Sequence, residues 1–217
     1  MPDSHIIWDW NGTLLDDTLA ALQTLNDMLS SRSLNRLTMR YYRDNFAFPS
    51  RRFYQLIGMD IEDGNWDDVS AEYHDIYSTK DKFLNAEALE ALELARKMNF
   101  RQSVLSALRQ DILVSELRKY ELTKYFDHVY GTDNLYGASK SERAGALVSN
   151  LGDDAQIVLI GDAIHDKEVA DSIGAKCVLC STGSHSHQRL EALSPTAKSL
   201  TQAVAMAYGF LKKESIC

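Results

Sequence analysis

Five short apolar runs, Ile6 to Asp9, Gln102 to Ser106, His128 to Tyr130, Ile157 to Ile160 and Lys176 to Cys180, alternate with segments of helical spacing, and this alternation constrains the fold more than any other feature of the chain. Each run has the length of a strand and is mostly β-branched or aromatic. Between them, Leu89, Leu92, Ala95 and Met98 mark one helix face, and Ile112, Leu113, Glu116, Leu117 and Tyr120 mark another. Gly152 and Gly174 fall where helix C-caps are expected. Near-continuous apolar strands alternating with helices imply an α/β fold: a doubly wound, Rossmann-like parallel sheet of five strands, covered on both faces.

One interval breaks the alternation. From about Asp16 to Asn85 there is no convincing strand, whereas Leu19, Leu22, Leu25 and Leu29 lie on a helical stripe. The segments around Tyr41 to Phe46, Phe53 to Ile57 and Val69 to Tyr77 read as further short helices. Pro49 and the acidic turn DIEDGNWDD punctuate them. We therefore expect a core domain from residues 1–15 and 86–217, with a small all-helical domain, 16–85, inserted after strand one. A chain of 217 residues with 45% hydrophobic content is large enough for such a core. The insertion's many Tyr, Trp and Phe residues read as its own small core before they read as a stacking surface.

Charge and cysteine content remove several function classes. The formal charge is -8, from 23 basic and 31 acidic residues, with no basic cluster, so neither nucleic acid nor an anionic membrane is an expected partner. The opening MPDSH lacks the features of a signal peptide and no stretch is apolar enough to span a membrane, so a cytoplasmic location is expected. Cys177, Cys180 and Cys217 are too few for a disulfide framework, and the CVLC pair sits in a predicted strand, where core packing explains it. Oligomeric state is not encoded in any legible pattern.

In an open parallel sheet, ligands bind beyond the carboxyl ends of the strands. Strand one ends in Asp9, Asn11, Gly12 and Thr13; strand two ends in Ser106, followed by Ala107. Gly137-Ala138-Ser139-Lys140 precedes strand four, which ends in Gly161-Asp162-Ala163-Ile164-His165-Asp166. All fall at one edge of the sheet. Taken alone, an aspartate or serine after a strand is a helix cap or turn residue, and a lone lysine is solvated surface. Together, a carboxylate, a hydroxyl, a lysine and a second carboxylate pair have the layout of a metal-assisted phosphate site.

DWNGT, the serine after strand two, the later lysine and GDAIHD together resemble the four motifs of the haloacid dehalogenase superfamily, and the helical insertion after the first motif resembles the phosphoglycolate phosphatase-like branch. The resemblance implies a phosphatase of small phosphorylated metabolites that depends on Mg2+ and works through an aspartyl-phosphate. It implies Asp9 as nucleophile, and Asp9, Asp162, Asp166 and the main-chain carbonyl of Asn11 as metal ligands. It also implies Ser106 and Lys140 as catalytic groups that bind the phosphoryl oxygens together with Gly12, Thr13 and Ala107 through hydroxyl and backbone N–H groups. The expected partner is a small phosphate ester or acyl phosphate.

The chain departs from the family at Asn11, where such phosphatases carry a second aspartate that protonates the leaving alcohol; an amide cannot do so at neutral pH. Three functions stay open: the phosphatase, a phosphate-binding or regulatory protein without turnover, and a haloacid dehalogenase. A dehalogenase has no use for the Asp162 and Asp166 pair. Arg51 and Arg52 offer a candidate contact for a substrate carboxylate, though they read first as solvated surface; His165, inside GDAIHD, is a candidate to face the site but reads first as a helix-end histidine. Ser184, His185 and His187, in the polar loop GSHSH, lie at the same edge, and exposed histidines of this kind are common without a metal.

Overall fold

The computed structural model describes residues 4–62, 64–133, 140–152 and 154–214. Its strands are β1 (Ser4–Trp8), β2 (Leu15–Asp16), β3 (Phe83–Leu84), β4 (Arg101–Arg109), β5 (His128–Thr132), β6 (Gln156–Gly161), β7 (Lys176–Cys180) and β8 (Thr196–Ala197). Its helices are α1 (Thr18–Ser31), α2 (Met39–Asn45), α3 (Ser50–Leu56), α4 (Trp66–Ser78), α5 (Ala88–Lys97), α6 (Gln110–Lys119), α7 (Lys140–Ser149), α8 (Ile164–Ser172), α9 (His187–Glu191) and α10 (Leu200–Glu214). The main sheet runs β5-β4-β1-β6-β7-β8, with every neighbouring pair parallel. It has six strands rather than the expected five, because β8 is only two residues long and too short to leave a periodic signal.

Alternation along β1 shows how the sheet is buried. Ile6 and Trp8 enter a cluster built with α5, α6 and α10, while Ile7 enters the opposite cluster with Ala144, Leu147 and Val169 of α7 and α8. A strand apolar on both faces is what a doubly covered sheet requires. Polar groups buried along β1 are paired with β4: His5 Nε2 bonds Ser103 Oγ at 2.8 Å, and Trp8 Nε1 donates to Gln102 Oε1 at 2.9 Å. Cys177 and Cys180 are buried in β7, where burial pushes the Cys177 thiol up to about 12, so they pack as apolar side chains; Cys217 lies outside the described residues.

Between β2 and β3 the chain is helical except at its ends. There Leu15–Asp16 pairs antiparallel with Phe83–Leu84, a ribbon that sequence periodicity did not register because each strand has two residues. The ribbon brings the start and finish of the helical excursion together. Its helices share a third apolar cluster containing Leu22, Leu25, Met28, Tyr42, Phe53 and Tyr54. Leu19 was expected on that stripe but is 57% exposed in the first turn of α1, so the buried face begins later. Leu89 is likewise 48% exposed: α5 buries Ala88, Ala91, Leu92 and Ala95, a face turned toward small residues that count little in a stripe of large ones. Gly152 and Gly174 sit just past α7 and α8 at φ of 89° and 67°, in agreement with the cap pattern. Among the described residues, no helix is long and apolar enough to cross a membrane.

Candidate active site

Strand order reverses on either side of β1, which pairs with β4 on one edge and β6 on the other. The crevice beyond the carboxyl ends of β1 and β6 is therefore the switch point of the fold. Asp9 is the first residue past β1, and its N–H donates to Ile160 O at 2.8 Å, so the backbone that carries the carboxylate is still tied to the sheet. The chain then turns sharply, with Leu15 N donating to Trp10 O at 2.9 Å. Gly12 takes φ of 78° in this turn, and a Cβ there would lie 2.5 Å from Asp162 Oδ2. Only glycine meets both conditions.

Beyond β6, Asp162 and Asp166 flank the start of α8. Asp166 is at the third helical position, and its Oδ2 accepts from the Ala163 N–H at 2.9 Å, which caps the helix. Its Oδ1 accepts from Lys140 Nζ at 2.6 Å, and the same ammonium donates to Asp9 Oδ1 at 2.5 Å. Lys140, at the first position of α7, is 3% exposed. A buried ammonium is tolerated there because two carboxylates face it. Gly137, Ala138 and Ser139, which precede it in the motif, lie outside the described residues.

Thr13 Oγ1 lies 3.2 Å from Asp9 Oδ2 and 3.4 Å from Asp162 Oδ1, so its single proton can serve either. Asp162 Oδ2 accepts from both the N–H and the hydroxyl of Ser184, each at 2.6 Å. The GSHSH loop thus reaches the site through its serine, not its histidines. Gly183 permits the approach: a Cβ there would stand 2.2 Å from Asp162 Oδ2. His185 is buried rather than exposed, packs its ring 6.0 Å from Phe46, and is pushed down to about 4 by burial, so it is neutral. His187 bonds Ser181 and Glu191.

Oxygens of Asp9, Asp162 and Asp166 lie within 4.8 Å of one another, the one such metal-compatible group among the described residues. Burial pushes the Asp9 carboxyl upward, with Asp166 and Asp162 adding to the shift and Lys140 opposing it. Asp162 is pushed up to about 7, first by burial and then by Asp166. Three hard oxygen donors in a crowded anionic cluster fit a small divalent cation, whose charge would relieve that crowding.

Asn11 has an occupation that its motif position did not suggest. Its Nδ2 donates to Asp17 Oδ2 at 2.8 Å and lies 3.2 Å from the Tyr77 hydroxyl, while its Oδ1 lies 3.5 Å from Ser106 Oγ. Tyr77, on α4, donates to the same Asp17 oxygen at 2.5 Å. Asp17 Oδ1 accepts from the Gly12 N–H at 2.7 Å, so this N–H, expected to face a phosphoryl oxygen, is turned to Asp17 instead. Burial raises the Asp17 carboxyl despite these three donors. Asp17 and Tyr77 were missed in the sequence; the second acidic residue of LLDD was the available signal. Ser106 Oγ also accepts from Leu108 N at 3.0 Å, and Ala107 lines the cavity beside it.

The cavity above these groups has a volume of about 190 Å³. His165 lines it, with its ring 5.3 Å from Phe48 and its Nδ1 3.2 Å from Glu168. Arg51 and Arg52 are not among its lining residues, whereas Ser50 is. Tyr42 and Tyr54 both belong to the third apolar cluster and line the cavity, so aromatics expected as the insertion's core also face the cavity.

Residues 6–180 match the family model for the haloacid dehalogenase-like hydrolases. The chain is 23% identical over 220 residues to the probable phosphatase IndB of Dickeya dadantii (strain 3937), covering 97% of this chain and 96% of that protein. Among solved structures, it is similar to a predicted phosphatase from Clostridium acetobutylicum (TM-score 0.75, 17% identity, 95% and 98% of the two chains covered). It is also similar to a predicted phosphoglycolate phosphatase from Haemophilus somnus 129pt (TM-score 0.71, 15% identity, 94% and 97% covered).

Proposed function

Since the chain belongs to the haloacid dehalogenase-like hydrolase family, we propose that it is a phosphatase of small phosphorylated metabolites, with Asp9 as nucleophile, and that residues 16–85 act as a cap over the 1–15 and 86–217 core. The observation that carries this reading is the buried cluster of Asp9, Asp162, Asp166 and Lys140 at the switch point of the sheet. Asp9 Oδ attacks phosphorus and forms an aspartyl-phosphate as the P–O bond to the substrate's leaving group breaks and its electron pair departs on that oxygen; water then attacks the same phosphorus, releasing inorganic phosphate and Asp9, and the proton it gives up balances the one taken by the leaving group. Lys140 holds the nucleophile in place and offsets charge on the transferred group. Ser106 and the Ala107 N–H bind phosphoryl oxygens, and Thr13 orients Asp9. Asp9, Asp162, Asp166 and the Asn11 carbonyl would hold Mg2+, which supplies neutralisation of the phosphoryl charge.

Asn11 supports a second reading, a protein that binds phosphate with the metal and does not turn it over, since its amide donates to Asp17 and has no acidic proton. The Asp162 and Asp166 pair supports neither dehalogenation nor any other metal-free attack on carbon. The test is phosphate release from acetyl phosphate with and without Mg2+. Wild type should release phosphate only with the metal, and Asp9→Asn should abolish both release and any acid-trapped phospho-enzyme. Wild-type turnover in Asp9→Asn removes the mechanism. Phosphate binding with Mg2+ and no turnover selects the second reading.

A further inference from the structure

Resting on the phosphatase reading, we infer that the substrate is an aryl phosphate: a phosphate monoester whose leaving group is an uncharged planar ring bearing a phenol-like oxygen. The cavity wall supplied by the helical segment is aromatic, with Tyr42, Phe46, Phe48, Tyr54, Trp66 and Tyr73 all lining it. Phe46 is the hub of this wall, stacked on Tyr42 at 5.0 Å and edge-on to Phe48 at 5.3 Å. Aromatic faces carry negative electrostatic potential, so they accept the edges and faces of another ring and disfavour a carboxylate.

The charges point the same way. Among the described lining residues the lysines and arginines are Lys140 and Arg109. Lys140 is held between Asp9 and Asp166, and Arg109 donates to both carboxylate oxygens of Asp111 at 2.6 and 2.8 Å. Among the described residues the helical segment adds no lysine or arginine to the lining, and its one basic side chain there is His74, so a second anionic group on the substrate would meet no fixed positive charge on that wall and would face Asp17 and aromatic rings. The cavity of about 190 Å³ is lined by Asp9 and Asp162 as well as by these rings, so it takes the phosphoryl group too, and the scale suits a single ring rather than a larger leaving group, since an apolar cavity of roughly 150 Å³ holds benzene.

Asn11 supplies the independent argument. When Asp9 Oδ bonds to phosphorus, the P–O bond to the leaving group breaks, and the electron pair stays on that oxygen. With an amide at position 11, this oxygen leaves unprotonated and takes its proton from water afterwards. A phenoxide tolerates this, because a phenol has a pKa near that of tyrosine, about 10, whereas an alkoxide is far more basic, nearer to hydroxide. Water then attacks the aspartyl-phosphate, and the sum is aryl phosphate plus water giving phenol plus inorganic phosphate.

The test is steady-state kcat and KM, at saturating Mg2+, for phenyl, benzyl and cyclohexyl phosphates and phosphoglycolate, with acetyl phosphate as the reference. Benzyl phosphate keeps the ring but leaves as an alkoxide; cyclohexyl phosphate keeps the size but loses planarity. Phenyl phosphate should exceed the other three esters in kcat/KM by ~100-fold or more, the usual contribution of the missing acid. Phe48 is 40% exposed, so Phe48→Ala should fold, and it should raise KM for phenyl phosphate about fivefold more than KM for acetyl phosphate. Benzyl or cyclohexyl phosphate within about threefold of phenyl phosphate, or a preference for phosphoglycolate, overturns the inference while leaving the phosphatase reading intact. Failure to release phosphate from acetyl phosphate and every ester overturns both.

Discussion

Asn11→Asp restores the acid that similar phosphatases carry two residues after the nucleophile, and the structure sets the size of the effect. In the wild type, Asn11 Nδ2 donates to Asp17 Oδ2 at 2.8 Å. The substitution turns that donor into an acceptor and leaves two carboxylates facing each other at the same separation. Were both ionised, their repulsion at an effective dielectric constant of about 20 would be ~6 kcal/mol. Keeping one proton costs less at neutral pH, so the pair shares it, as closely spaced carboxylates do. A shared proton beside the cavity is a general acid. Asn11→Asp should therefore accelerate benzyl phosphate hydrolysis by ~10²-fold or more and phenyl phosphate hydrolysis much less. The assay compares the two substrates at saturating Mg2+, with the urea midpoint showing that the fold is intact. The double variant Asn11→Asp/Asp17→Asn re-forms the bond with donor and acceptor exchanged, so its activity on benzyl phosphate should peak at lower pH than that of the single variant. A folded Asn11→Asp that gains nothing on benzyl phosphate refutes the reasoning, and the proton then comes from elsewhere.

The remaining expectations concern the metal and pH. Asp162→Ala should raise the Mg2+ concentration giving half-maximal activity at least ~10-fold; Asp166→Ala should raise it by a similar or smaller factor and also lower the urea midpoint, since it removes the cap on Ala163 and a partner of Lys140. An unchanged metal titration in Asp162→Ala removes that residue from the site. Ser184→Ala keeps its N–H bond to Asp162 and loses the hydroxyl one, so Mg2+ affinity should fall by about 10-fold, measured by calorimetry; no change would make the contact structural only. Asp162 is held at about 7 against 3.8 for the free side chain, so the folded chain binds more protons than the unfolded one between those values. Its contribution is fully present below pH 3.8 and is lost as pH rises through 7. In EDTA the urea midpoint should fall from pH 5 to pH 8, Asp162→Asn should flatten the fall, and a rising profile would contradict the assigned burial.

What could be read in the sequence depended on how far each signal extended along the chain. The main strands announced themselves because a strand buried on both faces is an uninterrupted apolar run, as in IIW and IVLI. Two-residue strands such as β2, β3 and β8 carry no period and were invisible. Asp9, Ser106, Lys140, Asp162 and Asp166 were legible because each follows or precedes a recognisable element, so position along the chain stood in for position in space. Tyr77 carries no such marker. It lies 60 residues from Asp17 and meets it because the β2–β3 ribbon brings the two ends of the helical segment together. His185 misled for the opposite reason: a polar loop read as exposed, whereas the ring is packed against Phe46.

The same network changes what Asn11 means. Seen in its motif alone, an amide in place of a carboxylate is a loss. Seen with Asp17, it is one half of a matched pair: Asp17 is 6% exposed, and its carboxylate relies on donors from Asn11, Gly12 and Tyr77. An aspartate at position 11 would withdraw one of those donors and set a like charge in its place, so with Asp17 present the amide is the residue that stability favours. Positions 11 and 17 therefore vary physically as a unit. A substitution at either one alone tests the pair, and only the exchange of both separates the loss of an acid from the loss of a hydrogen bond.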